Sequence, residues 1–153
     1  GFVTYSYKIN ENIGRKLDNL FVVIPINTSE VAYVDGSATG GLIPLVAGAT
    51  PASKAGEAFA KGGMDAVKQL SAATGDVTLL VANIGELGTA QGLELTYKVQ
   101  VTSLPTTPTK DKSYTLGATA YVFDGDPLKT TDAAGVLIIP AQAQYLPFIS
   151  AAR

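Results

Sequence analysis

The chain predicts a mainly β fold, a single antiparallel β-sandwich of the jelly-roll or immunoglobulin-like kind with one helical insertion around residues 53–73. Three observations carry this. Several segments alternate apolar and polar residues with period two. Clusters of Gly, Pro, Asn and Asp punctuate them. One stretch alone switches to helical spacing, whereas winding strands around a parallel sheet would need several crossover helices. Seven or eight strands are expected, and the length of 153 residues suits one domain, 1–153, with an extended N-terminal strand (2–9) and an extended C-terminal segment (136–149).

In 2–9, Val3, Tyr5, Tyr7 and Ile9 fall on one face and Thr4, Ser6 and Lys8 on the other, as in a half-buried strand. A polar turn over 10–15 leads into 17–26, where Leu20-Phe21-Val22-Val23-Ile24 is apolar on both faces and therefore reads as a central, doubly covered strand. Pro25 has no amide to give a ladder, so this strand should meet a sheet edge or bulge near its end. Residues 31–34 form a short strand that stops at the Asp35-Gly36-Ser37 turn. A small-residue loop, 36–41, precedes the Pro44-broken apolar run 42–47.

From 53 to 73 the period changes. Phe59, Gly63, Ala66, Val67 and Leu70 recur at helical spacing, with Lys54, Glu57, Lys61, Asp65 and Lys68 mostly elsewhere. Thr50, Pro51 and Ser53 suggest a capped start and Gly75 an end, while Gly62-Gly63 in the middle costs about 1 kcal/mol per Gly relative to Ala and divides the helix in the alternative reading. Strands resume at 77–84, apolar on both faces, and at 93–102. There Leu93, Leu95, Tyr97, Val99 and Val101 alternate against Glu94, Thr96, Lys98, Gln100 and Thr102. Segment 113–123, with Tyr114, Leu116, Ala118, Ala120 and Val122 on one face, is the expected hairpin partner of 93–102.

Composition excludes more than it selects. There is no His and no Cys, the two side chains that most often carry catalysis and soft-metal binding near neutral pH. Charged residues are 16%, against about 25% in ordinary domains, and the net charge of −2 with scattered Lys and Arg offers no footprint for nucleic acid. No apolar run approaches the roughly 20 residues of a membrane-crossing helix. Trp is absent and Met occurs once, so oxidation-prone side chains are nearly missing, as suits an exposed, long-lived protein. The first residue is Gly, which fits removal of a signal peptide or of an initiator Met.

The motifs that invite chemistry meet simpler explanations. Asp124-Gly125-Asp126 spaces two carboxylates for calcium, but Pro127-Leu128-Lys129 supplies no further ligand, so a turn is the better reading unless distant acids such as Asp35 or Asp132 converge. The glycine loop 36–41 runs into Leu42-Ile43-Pro44, not the Gly-Lys-Ser/Thr of a phosphate cradle. No Gly-x-Ser-x-Gly elbow occurs, and without His the common nucleophile arrangements are missing. A glycosidase-type carboxylate pair leaves no sequence signature, and Glu94 lies on the outward face of its strand. Tyr5, Tyr7, Tyr97 and Tyr114 belong to core faces, with Tyr33 and Tyr145 unassigned. Tyr121 and Phe123 lie opposite Ala120 and Val122, on a second buried face, a ligand patch or a subunit contact. Asn27-Thr28-Ser29 is an N-glycosylation acceptor sequence.

These readings assign no catalytic residue, no cofactor and no metal ligand. The expected role is a non-enzymatic structural subunit of an extracellular or cell-surface filament or pilus-like assembly. Copies of the chain would be joined by strand exchange through Val3, Tyr5, Tyr7 and Ile9, with a glycan on Asn27. A virion capsid, tail or decoration protein is the structural alternative. A secreted carbohydrate-binding module and a carboxylate-based hydrolase represent two other classes. The rival to exchange is a first strand that pairs within its own domain.

Overall fold

Residues 1–11, 14, 16–103, 114–124, 133–139 and 144–149 are described by a computed structural model. Among them, ten strands and one helix follow in the order β1 (Phe2–Asn10), β2 (Leu17–Pro25), β3 (Val31–Tyr33), β4 (Ile43–Leu45), α1 (Ala52–Lys68), β5 (Leu79–Leu87), β6 (Gly92–Val101), β7 (Tyr114–Thr119), β8 (Tyr121–Asp124), β9 (Ala133–Ile139) and β10 (Gln144–Ile149). The architecture is mainly β, antiparallel and sandwich-like with one helical insertion, as the sequence predicts.

Three ladders organise the strands, β1-β6-β3, β4-β5-β2-β8 and β10-β9-β7. The four-stranded sheet is the middle layer. Its β2 sends Leu20, Val22 and Ile24 toward β1 and β6, and Phe21 and Val23 toward α1. Adjacent β5 divides in the same way, with Leu80 and Ala82 on the first side and Leu79 and Val81 on the second. Two buried faces explain why these two strands read as apolar runs without alternation, whereas β1 and β6, covered on one face only, alternate. Each large apolar side chain so buried contributes roughly 1.5–3 kcal/mol.

The 93–102 strand does not form the expected hairpin with 113–123. Instead β6 pairs with β1 over nine residue pairs, from Phe2 opposite Gln100 to Asn10 opposite Gly92, and with β3 on its other side. Alternation identifies which face a strand buries, not its neighbour, and β1 matches β6 in length and pattern. Nor is 113–123 one strand. It divides at Ala120, so that β7 pairs with β9 while β8 pairs with β2. The C-terminal segment forms β9 and β10, an antiparallel pair in which Pro147 stands opposite Val136.

Pro25 ends β2 where the sequence places an edge. The Ile26 amide bonds Thr78 O on the β5 side, so position 25 faces the β8 side, and β8 reaches only as far as Val23. Nearer its start β2 bulges around Leu20, beside Asn19 at φ 55°, a left-handed conformation that Asn tolerates better than most side chains. Pro44 sits inside a strand, tolerated because β4 is a short edge strand that, among the described residues, pairs with β5 alone.

Helix α1 lies across the second face of the middle sheet. Ala52, Ala55, Gly56 and Val67 are buried there, with Phe59, Met64 and Leu70 packed alongside. The expected side-chain cap is not made: Pro51 precedes the first turn with no capping bond, and the helix stops at Lys68, well short of Gly75. Gly63, at φ 67° and ψ −159°, breaks the helical path in the middle, so the Gly pair does divide it.

Candidate functional site

The region assembled around β1 combines long-range hydrogen bonds, stacked aromatics and a small cavity. Val3, Tyr5, Tyr7 and Ile9 point between the sheets and are 4%, 3%, 0% and 2% exposed, so all four enter the core of their own chain. Among the described residues, the ladder of β1 runs to β6 alone, while β9 and β10 pass near it without joining the ladder. The strand thus brings a full row of core side chains while being an edge strand of its sheet. Its outward residue Phe2 is 58% exposed.

Three tyrosines form the centre. The Tyr97 ring of β6 stacks on Tyr5 at a centroid distance of 5.3 Å and on Tyr7 at 6.2 Å, with interplanar angles of 25° and 10°. The Tyr5 hydroxyl donates to Leu116 O at 3.3 Å and the Tyr7 hydroxyl to Ala118 O at 3.0 Å. Successive inward residues of β1 therefore reach alternate carbonyls of β7, which ties one sheet to another at a defined register. Burial, reinforced by the Glu30 carboxylate, pushes the Tyr5 phenol up to about 12. Burial also holds Tyr97 well above the ordinary tyrosine range, helped by Tyr7, whose hydroxyl shares a hydrogen bond with it, and by Tyr5. Tyr5 and Tyr97 therefore keep their protons near neutral pH, and all three rings act as packing surfaces.

Beside Tyr5, between it and Glu30, Asn27, Val31 and Leu116, is a cavity of about 20 Å³, room for about one water. Asn27 opens the turn that follows β2. Its side-chain oxygen accepts from the Ser29 amide at 3.2 Å and the Ser29 hydroxyl at 2.6 Å, and its nitrogen donates to Glu30 Oε1 at 2.9 Å. The opposite end of β1 is held by Glu11, a buried carboxylate whose Oε1 accepts from the Ala90 amide at 2.8 Å. That bond steadies a turn in which Ala90 is left-handed, at φ 61°.

The outer flank of β6 is covered beyond β3 by the segment after it. Ser37 Oγ accepts the Lys98 amide, Thr39 Oγ1 accepts the Thr96 amide, and the Thr39 and Thr96 hydroxyls bond each other. The glycine loop thus completes a sheet edge, with Gly36, Gly40 and Gly41 taking positive φ. A side chain at Gly40 would strike Leu95 and the Glu94 carbonyl, so close backbone approach accounts for that Gly.

The remaining candidates separate. Glu94 is exposed and accepts from the Ser6 hydroxyl at 3.0 Å. Asp35 is exposed in its turn. Asp124 closes β8, whereas Gly125, Asp126 and Asp132 lie outside the described residues, as do the side chains of Tyr114 and Tyr145. Among the described residues no three His, Cys, Asp or Glu gather to hold a metal ion, and no helix is long and apolar enough to cross a membrane. Phe123 is buried under α1 with Tyr121 packed there too, which makes theirs the second buried face. What sequence reasoning missed are the acceptors on β7 and the roles of Glu11 and Glu30. Main-chain carbonyls carry no residue signature, and the Glu11 bond to Ala90 and the nearness of Glu30 to Tyr5 join segments separated in sequence. No protein-family model, curated protein or solved structure matches the chain.

Proposed function

We propose that this chain is a non-enzymatic structural subunit of an extracellular or cell-surface filament or pilus-like assembly, polymerising by exchange of β1 between copies. One observation carries the reading: β1 supplies four core side chains and two inter-sheet hydrogen bonds, yet is laddered to β6 alone among the described residues. A strand so placed is replaceable by the same strand of a second copy, with every ladder bond, tyrosine stack and β7 contact re-made unchanged. Exchange in one direction, each copy giving β1 forward and receiving one behind, generates a chain of subunits. Its partners are further copies of itself, each presenting Asn27 on its surface as a sugar acceptor.

The absence of cysteine makes the test clean. Thr4 and Lys98 are opposed across the ladder, and both are exposed. The bonds Val101 N to Gly1 O and Glu11 N to Gln91 O put the odd residues of β1 in the hydrogen-bonded positions. Thr4 and Lys98 are then a non-hydrogen-bonded pair, whose Cα separation of about 4.5 Å lies within disulfide range. With Thr4→Cys and Lys98→Cys in one chain, oxidised assemblies should run on denaturing, non-reducing gels as a ladder of covalent multimers. Bridged monomers alone would refute exchange.

A further inference from the structure

We infer that the turn from Asn27 to Glu30 is a built acceptor for N-linked sugar, taking an oligosaccharide from a polyprenyl-phosphate-type donor. The triplet Asn27-Thr28-Ser29 is the one place in the chain where Asn is followed two positions later by Ser or Thr. All three residues are exposed. The turn beneath them is anchored from behind, because Glu30 O accepts both the Thr102 and Ser103 amides and Asn27 O accepts the Glu30 and Val31 amides. The acceptor is therefore presented on fixed backbone with its side chains toward solvent.

The carboxamide is also held in one orientation by its neighbours. Two donors from Ser29 reach its oxygen and a carboxylate from Glu30 reaches its nitrogen. The Ser29 bonds draw electron density toward the oxygen, and the Glu30 carboxylate stands as an acceptor on the N–H of a nitrogen that loses a proton while bonding to carbon. In the transfer, Nδ2 bonds the anomeric carbon of the donor sugar, the bond from that carbon to the phosphate oxygen breaks, the polyprenyl phosphate or diphosphate leaves, and one amide proton is released. Nothing is oxidised or reduced. The acceptor lies near Gly1 and the end of β6, at the opposite end of β1 from Glu11, where the chain runs on toward β2, so a sugar there leaves that junction clear.

Trypsin cuts after Lys16 and Lys54 and at no site between them, which isolates Asn27 on the peptide 17–54. From protein purified out of its own cells, that peptide should be heavier by the mass of one or more sugars, with fragmentation placing them on Asn27. Ser29→Ala made in the same cells should return it to the unmodified mass, and Ser29→Thr should keep the sugar. The unmodified mass throughout the native protein overturns the inference. The outcome is separate from that of the disulfide experiment: sugar on Asn27 with bridged monomers only would leave the acceptor standing and remove the polymer.

Discussion

The middle sheet has two faces, and they are packed by different chemistry. Toward β1 and β6 the core is built on tyrosines whose hydroxyls bond main-chain carbonyls of β7. Toward α1 it is built on phenylalanine and small side chains, with Phe21 and Phe59 stacked at 4.3 Å and nearly parallel, and Phe123 beside them. Apolar packing rewards burial in many arrangements, whereas a buried hydroxyl must find its acceptor or cost free energy. The tyrosine side thus selects one register between sheets that are far apart in sequence. On the helix side a broken helix without an N-terminal side-chain cap is enough, because shape and area do the holding.

The comparison breaks most sharply at Tyr97, the ring on which both other tyrosines stack. Tyr97→Ala should destabilise by about 3–5 kcal/mol in denaturant melts, the cost of emptying a core aromatic site. Next comes alkaline pH. The Tyr5 phenol ionises at about 12 in the folded chain and near 10 in the unfolded one, and Tyr97 is raised in the same direction. Between those values the folded state keeps a proton that the unfolded state has lost, so the stabilisation is complete below pH 10 and disappears as pH rises through 12. Melting followed from pH 9 to 12 should show a fall worth on the order of 2 kcal/mol from Tyr5, and Tyr5→Phe should flatten much of it.

On the helix side the sensitive point is steric. A β-carbon on Gly56 would stand 2.8 Å from the Phe123 ring. Gly56→Ala should therefore destabilise by about 1–2 kcal/mol, overpacking outweighing the better helix propensity of Ala, with the alkaline fall unchanged. Tyr7→Phe keeps the ring but removes both the bond to Ala118 O and the one shared with Tyr97, for about 1–2 kcal/mol in the same melts. The smallest effect belongs to Lys98→Ala, within about 0.5 kcal/mol, since that side chain is exposed between two core residues. A Lys98 effect as large as that of Tyr97 would mean that β6 faces the other way.

Faces were legible in the sequence and neighbours were not. The alternation of β1 and β6 identifies Tyr5, Tyr7 and Tyr97 as core, and the unbroken apolar run of β2 announces two covered faces. Partner choice is a matter of three-dimensional complementarity, and 113–123 carries an alternation similar to that of β1, so the nearer segment attracted the hairpin assignment. The division at Ala120 leaves no mark in a pattern that continues through it. Of the site, the triplet at Asn27 and the tyrosine row were visible, while the carbonyls of Leu116 and Ala118, the hydroxyl cover from Ser37 and Thr39, and the Glu11 bond to Ala90 depend on chain reversals that only the fold supplies.

The long antiparallel ladder between β1 and β6 also has a mechanical meaning. Its hydrogen bonds lie across the strands, so a pull along β1 loads them side by side in shear, together with the two tyrosine anchors on β7. They must yield as a group. A pull at right angles, lifting one end of the strand away from the sheet, would instead open them one after another at low force. Copies joined through this strand and aligned with it would be strong in tension along the thread and easily peeled apart from the side.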